Sequence, residues 1–472
     1  MNQPSSSRKL FPWLAAGLLT VSALLMWLPA LQTPFWGDDY SFLLAARASN
    51  AAHLPWWSDF WPNSPLLFWR PLSQEGYWRW VVAVLDGSAV AAHAVSLALH
   101  VVASLGVALF GLCLARACRW PHAGRIAAIA GSVHAALALH LLPLHWAAAA
   151  NNAMLTLFTS VLLAAWVGAG TARPLHRGLL LACTPLLLAL ALLSKESAAL
   201  TPVLMLVVAG FAGARRPRLG GMLAWLACAA VVCAWLLLRA RFTTTADAAY
   251  ELSVGGNVVR NAASFIAWLL NVPRESLRMA LEGQRLHALG WMAATALPML
   301  AAWGIALWRG RARLGLQQWL AVPAFAVLAY GPYFLFAWNS YAYYAAIAVI
   351  LPVIALARCL EDDPRLLLVA ALIAISSWCA VQGSRQLDHP GLIGRARWAE
   401  ALLQDLEQQP VATPLNIAIG DEHRFYALGQ AGLAWRLGIA PGDIHVAARC
   451  PAHAQHCLVI DEAGDWQWWQ GD

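Results

Sequence analysis

Two adjacent carboxylates, Asp38 and Asp39 in TPFWGDDY, follow directly on the first apolar run of this 472-residue chain. Side-by-side carboxylates repel, so such a pair calls for a cation, a metal or a proton. Beside a membrane surface the cost of charge grows. A structural role competes, because an aspartate here can also cap a helix that begins at Tyr40. Arg70, in FWRPL, and Glu75 follow in the same polar segment. Lys195 and Glu196, in LSKES, sit between two apolar runs. Charges facing lipid are expensive, so these two are expected to face a wet cavity or each other; an exposed turn pair is the plain alternative. His134, His140 and His145 precede Trp146, Asn151 and Asn152. Histidines six and five apart do not share one helical face, so they read as polar lining near a surface rather than as a three-histidine metal site.

The elements that must position these residues are apolar helices. Hydrophobic residues make up 60% of the chain and charged residues 12%, about half the charge fraction of a soluble domain. Runs such as Leu179–Leu193 and Leu366–Ala380 carry no polar stripe, so lipid is the solvent they require. Spans are expected at 11–31, 88–115, 124–142, 149–170, 177–194, 197–213, 220–238, 286–308, 317–337, 341–358 and 366–382, about eleven in all. The first is read as a retained helix, since its apolar run exceeds that of a signal peptide and no small-residue cleavage site follows.

Charge sorts the loops. Arg8–Lys9, Arg116/Arg119/Arg125, Arg173/Arg177, Arg215/Arg216/Arg218, Arg309/Arg311/Arg313 and Arg358/Arg365 fall on one side, assigned to the cytoplasm. The N-terminus is then cytoplasmic and the C-terminus extracytoplasmic. The net charge of +7 reflects these loops, and no basic face with stacking aromatics suggests nucleic acid. Most of the 26 Trp read as interfacial anchors. The transmembrane domain is expected over 1–383, with outer segments at 32–87 and 239–285. Tyr77–Leu85 is too short to span and should lie along the interface. A stretch at Val258–Leu270 is read as re-entrant or interfacial; if it spanned, every later orientation would flip.

Residues 384–472 differ in kind. Strand-like runs at 415–420, 444–448 and 457–461 alternate with helical periodicity at 393–408 and 423–437, predicting a small extracytoplasmic α/β domain. Cys450 and Cys457 flank PAHAQH there. They are open to three readings: a disulfide, two free thiols, or a zinc site with His453 and His456.

An outward acidic pair directly after the first helix resembles the GT-C superfamily of membrane glycosyltransferases. FWRPL at 68–72, HLLPLHW at 140–146 and LSKE at 193–196 resemble landmarks of its branch of protein O-mannosyltransferases, aminoarabinose transferases and tetratricopeptide-associated O-mannosyltransferases. The resemblance covers roughly residues 11–358, and no tetratricopeptide array follows, which leaves a glycan, lipid or protein acceptor open. It implies an all-α GT-C-like fold. The high Ala, Arg and Trp content fits a bacterial inner membrane, in which the extracytoplasmic tail would be periplasmic. The implied reaction is retaining or inverting sugar transfer from a polyprenyl-phosphate donor. By its place in the pair, Asp38 is the implied base. Asp39 would orient the acceptor or, with Asp38, hold a divalent metal. Arg70 and Lys195 would hold the lipid phosphate, with Arg239 and Arg241 as further contacts unless they only snorkel to headgroups. Glu196 would pair with a cation, and Glu75 and His145 would belong to the binding surface. Tyr341, Tyr343 and Tyr344 would line a groove unless they form an interfacial belt. The competing classes are a transporter or flippase of a lipid-linked or small polar substrate, and a non-catalytic scaffold that displays the tail.

Overall fold

A computed structural model describes residues 6–62, 66–213, 219–244, 250–337, 341–387, 392–451 and 456–470. Arg215, Arg216, Arg218 and His453, and residues 1–5 of the first segment, lie outside the described residues. The chain begins with α1 (Ser6–Trp27), α2 (Asp38–Ala51) and α3 (Tyr77–Val84). Next come α4 (Ala89–Ala117), α5 (Ala123–Ala136), α6 (Leu141–His145) and α7 (Asn151–Gly168). They are followed by α8 (Pro174–Ser194), α9 (Thr201–Phe211) and α10 (Leu219–Phe242). The short α11 (Gly256–Leu269) and α12 (Arg274–Leu281) precede α13 (Arg285–Gly310), α14 (Leu316–Phe334), α15 (Ile350–Leu360) and α16 (Leu366–Gln386).

Among the described residues, seven helical spans are long and apolar enough to cross a bilayer, or eight if α5 and α6, bent by 51°, count as one. The protein is a multi-pass membrane protein. Of the eleven expected spans, those at α9, α14 and α15 do not meet that measure. Three-ten turns take up the residues before α9 and α15, and α14, a continuous 19-residue helix, is made less apolar by Gln317, Gln318, Pro323 and Pro332. The spanning helices divide by burial. Only 17% of the α10 span is buried and 22% of the α13 span, against 78% for the span that contains α7. Leu223, Leu237, Leu297 and Leu300 are accordingly exposed, the expected outer face when lipid is the solvent.

One set of helix ends is tied by ion pairs. Arg125 donates to Asp362 at 2.9 Å, Arg309 and Arg365 both reach Asp363, and Arg358 pairs with Glu361. Gln317, at the start of α14, donates to the Gly210 carbonyl on α9 at 2.8 Å. These contacts join the basic loops that the charge pattern placed on one side. The candidate site lies at the other ends of these helices.

α11 has 14 residues, about 21 Å of helix, and is not among the helices long and apolar enough to cross a bilayer. It packs against α14. Asn261, Phe265 and Trp268 face inward, while Val259 and Ile266 are exposed, as on an interfacial helix.

The tail forms a four-stranded sheet in the order β2-β1-β3-β4, from β1 (Leu415–Ile419), β2 (Ile444–Ala447), β3 (His456–Ile460) and β4 (Trp466–Gln470). β1 runs parallel to β2 and β3, and β4 is antiparallel to β3. Three strands match the expected runs, and β4 is additional. Trp466 and Trp468 of β4 donate to Asp405 and Gln409 at the end of α17 (Leu392–Glu407), each at 2.8 Å. The second periodic stretch divides into α18 (Glu422–Phe425) and α19 (Gly429–Leu437). Cys450 and Cys457 are joined by a disulfide.

Candidate functional site

The outer segments meet around one cavity. It is lined by Asp38, Arg70, Asn151, Asn152, Lys195 and Glu196, with Trp146 and a set of phenylalanines and tyrosines. Each polar side chain arrives from a different junction. Asp38 opens α2, placed there by the turn at Gly37, whose φ of +61° lies in the left-handed region. Arg70 ends the extended stretch before the π-helical turn Pro71–Gly76. Asn151 and Asn152 begin α7. Lys195 is the single residue between α8 and the turn that leads into α9.

Arg70 and Glu196 form a forked ion pair, with Arg70 Nε donating to Glu196 Oε2 at 2.8 Å and a terminal nitrogen donating to Oε1. Burial alone would push the Glu196 carboxyl up, but the adjacent guanidinium and its hydrogen bonds draw it down to about 2. Burial opposes the charge on Arg70, and Glu196 more than restores it. The Arg70 guanidinium also lies 4.0 Å over the Phe68 ring.

Lys195 is 4% exposed. Its Nζ donates to Asn152 Oδ1 at 2.7 Å, and Asn152 in turn donates to Asn151 Oδ1 at 2.8 Å. The ammonium sits 4.8 Å and 5.3 Å from the ring centres of Tyr343 and Tyr344. Burial, reinforced by the like charge of Arg70 and opposed by Glu196, lowers it to about 7. Its nearest partners are thus a neutral amide and ring faces, which leaves room for an anion to supply the missing negative charge.

The two aspartates part company. Asp38 lines the cavity, and its Oδ1 accepts the Tyr426 hydroxyl at 2.8 Å. Asp39 is fully buried and accepts the backbone amides of Trp36 at 3.1 Å and Ala148 at 2.6 Å. Burial pushes its carboxyl well above the ordinary range, against the pull of those amides. Asp39 thereby joins the start of α2 to the turn before α7. A metal clamp would need both carboxylates on one ion; the amides engage both Asp39 oxygens, and no cluster of three His, Cys, Asp or Glu side chains suited to a metal occurs among the described residues.

The other expected residues lie outside the cavity lining. His145 is buried, donates from Nδ1 to the Leu141 carbonyl at 2.9 Å, and supports the site through its own carbonyl, which accepts Trp36 Nε1 at 3.0 Å. Trp36 stacks on Trp146 at 5.1 Å. His134 and His140 cluster instead with His100, with His140 4.5 Å and 4.4 Å from the other two ring centres. Glu75 belongs to the turn after Arg70, and burial, with the charge of Asp59 behind it, pushes it up to about 8. Arg239 lies over Trp235 and Arg241 over Trp61. Tyr341 stacks on Tyr343 at 5.4 Å but faces a neighbouring cavity beside Arg274. Tyr250, Tyr333 and Tyr426 escaped the sequence reading. They are isolated tyrosines in unrelated segments, and no local pattern marks them.

No family model matches the chain, and neither does a curated protein or a solved structure.

Proposed function

We propose that the protein is a membrane glycosyltransferase of the GT-C type, which moves a sugar from a polyprenyl-phosphate donor to a hydroxyl of an extracytoplasmic glycan, lipid or protein. The observation that carries this reading is the meeting of Asp38, Arg70 and Lys195, from three distant segments, at one cavity. Transfer needs a base and cations at opposite sides of a reacting carbon. The acceptor oxygen attacks the anomeric carbon, the bond from that carbon to the phosphate oxygen breaks, and Asp38 takes the acceptor proton. Arg70 and Lys195 meet the charge left on the lipid phosphate. The aromatic lining suits the apolar face of a sugar ring. With Asp39 buried and Glu196 in its fork with Arg70, Asp38 is the cavity carboxylate that this reading assigns as base, and a single base acting on the acceptor suits a single displacement with inversion of the anomeric centre.

In this reading α9, α14 and α15 also cross, completing about eleven crossings. The gathering of basic loops at one set of helix ends supports it, with the N-terminus in the cytoplasm of a bacterium, the protein in the inner membrane, and the tail in the periplasm. A transporter would hold its charges at mid-membrane, whereas these lie at helix ends. The test is to incubate the reconstituted chain with labelled polyprenyl-phosphate hexoses, pentoses and aminopentoses and periplasmic extract as acceptor. Release of polyprenyl phosphate with an inverted glycoside is expected. Intact donor throughout would overturn the reading.

A further inference from the structure

The C-terminal domain reaches Asp38, which lines the cavity, through the side chain of Tyr426. Tyr426 lies between α18 and α19, 388 residues from Asp38, and its hydroxyl donates to Asp38 Oδ1 at 2.8 Å. The surrounding contacts hold it there. The Gly37 amide donates to the Ala427 carbonyl at 2.8 Å. A Cβ at Gly37 would stand 3.0 Å from the Tyr426 ring, and one at Gly432 would stand 2.9 Å from Tyr40. The Arg47 guanidinium lies 3.6 Å over Trp435. The helix that carries Asp38 is therefore gripped by the tail at its first turn, through Gly37 and Tyr40, and again further along, through Arg47.

A carboxylate at the first turn of a helix can rotate about its side-chain bonds, and a reacting group gains rate when one rotamer is fixed. We propose that Tyr426 is a positioning residue for Asp38, so that the C-terminal domain completes the active site instead of being an appended module. This rests on the reading of Asp38 as the base. The phenol keeps its proton and holds one carboxylate oxygen, which orients Asp38 toward the acceptor.

The test uses Tyr426→Phe in the full chain, a change that keeps the ring against Gly37 and removes only the hydroxyl. With the polyprenyl-phosphate sugar that the wild type consumes fastest, kcat falls about tenfold, the loss of roughly one hydrogen bond to a charged group, while KM for the donor stays within about twofold. Thermal unfolding of the wild type, Tyr426→Phe, Asp38→Asn and the double variant gives a second readout that needs no activity. The double variant melts no lower than the worse single one if the two side chains act as a pair. Unchanged kcat in Tyr426→Phe, or additive melting shifts, would overturn the proposal. A wild type that consumes no donor would instead sink the transfer reading, and the melting cycle would still decide whether Tyr426 holds Asp38.

Discussion

At the residue scale, neighbours of identical type have opposite duties. Asp39 satisfies two buried amides, and Asp38 faces the cavity. Asp39→Asn places amide hydrogens against a backbone N–H, so stability should fall by about 1–3 kcal/mol, read as a lower melting midpoint in detergent. Lys195 has a pH signature. Its pKa of about 7 means that it carries charge below that pH and loses it above. A bound phosphate favours the charged form, so the KM for donor should be lowest below pH 7 and rise as pH climbs through it, by up to about tenfold per unit. Lys195→Arg keeps its charge throughout and should flatten that limb; a wild-type KM that stays flat from pH 6 to 9 would contradict the assignment. The sequence singled out Asp38, Arg70, Lys195 and Glu196 because charge between apolar runs is costly wherever it occurs, and the four line one cavity. It could not rank Asp38 above Asp39, since the difference lies in amides of Trp36 and Ala148, the latter more than a hundred residues away.

At the scale of elements, the Arg70–Glu196 fork joins the first outer segment to the α8–α9 junction. Removing one partner strands a largely buried charge. Glu196→Ala should therefore cost about 3–5 kcal/mol, a larger fall in melting midpoint than Arg70 and Glu196 exchanged together for a Met–Leu pair. Equal melting of Glu196→Ala and wild type would show the fork to be idle. Long uniform helices such as α4, α8 and α10 were legible because their apolar runs need no partner to be recognised. The broken ones were less so. The bend between α5 and α6 and the short α15 depend on packing that no local pattern encodes, and α14 is made less apolar by Gln317, Gln318, Pro323 and Pro332. The strand β4 was missed for a related reason. Its Trp-Gln-Trp-Trp-Gln segment is anchored by Asp405 in the last turn of α17 and by Gln409 just beyond it, some sixty residues earlier.

At the scale of the molecule, basic loops gather at one set of helix ends, and the cavity lies at the other, where the tail meets Asp38. Cys457→Ser should free Cys450, and a membrane-impermeant maleimide should then label it in intact cells whose outer membrane has been opened. Labelling only after the inner membrane is broken would invert the topology. The basic loops were legible because short loops carry their charge residue by residue. The docking of the tail on α2 was not legible, because Tyr426, Gly432 and Trp435 find their partners only in three dimensions.

The central claim is that Asp38 is the base of a sugar transfer. The most direct measurement is single-turnover consumption of saturating polyprenyl-phosphate sugar by Asp38→Asn, prepared alongside wild type and matched for melting midpoint and donor binding. Turnover should fall by about a hundredfold or more while the donor still binds. Asp38→Asn that consumes donor at the wild-type rate would contradict the account.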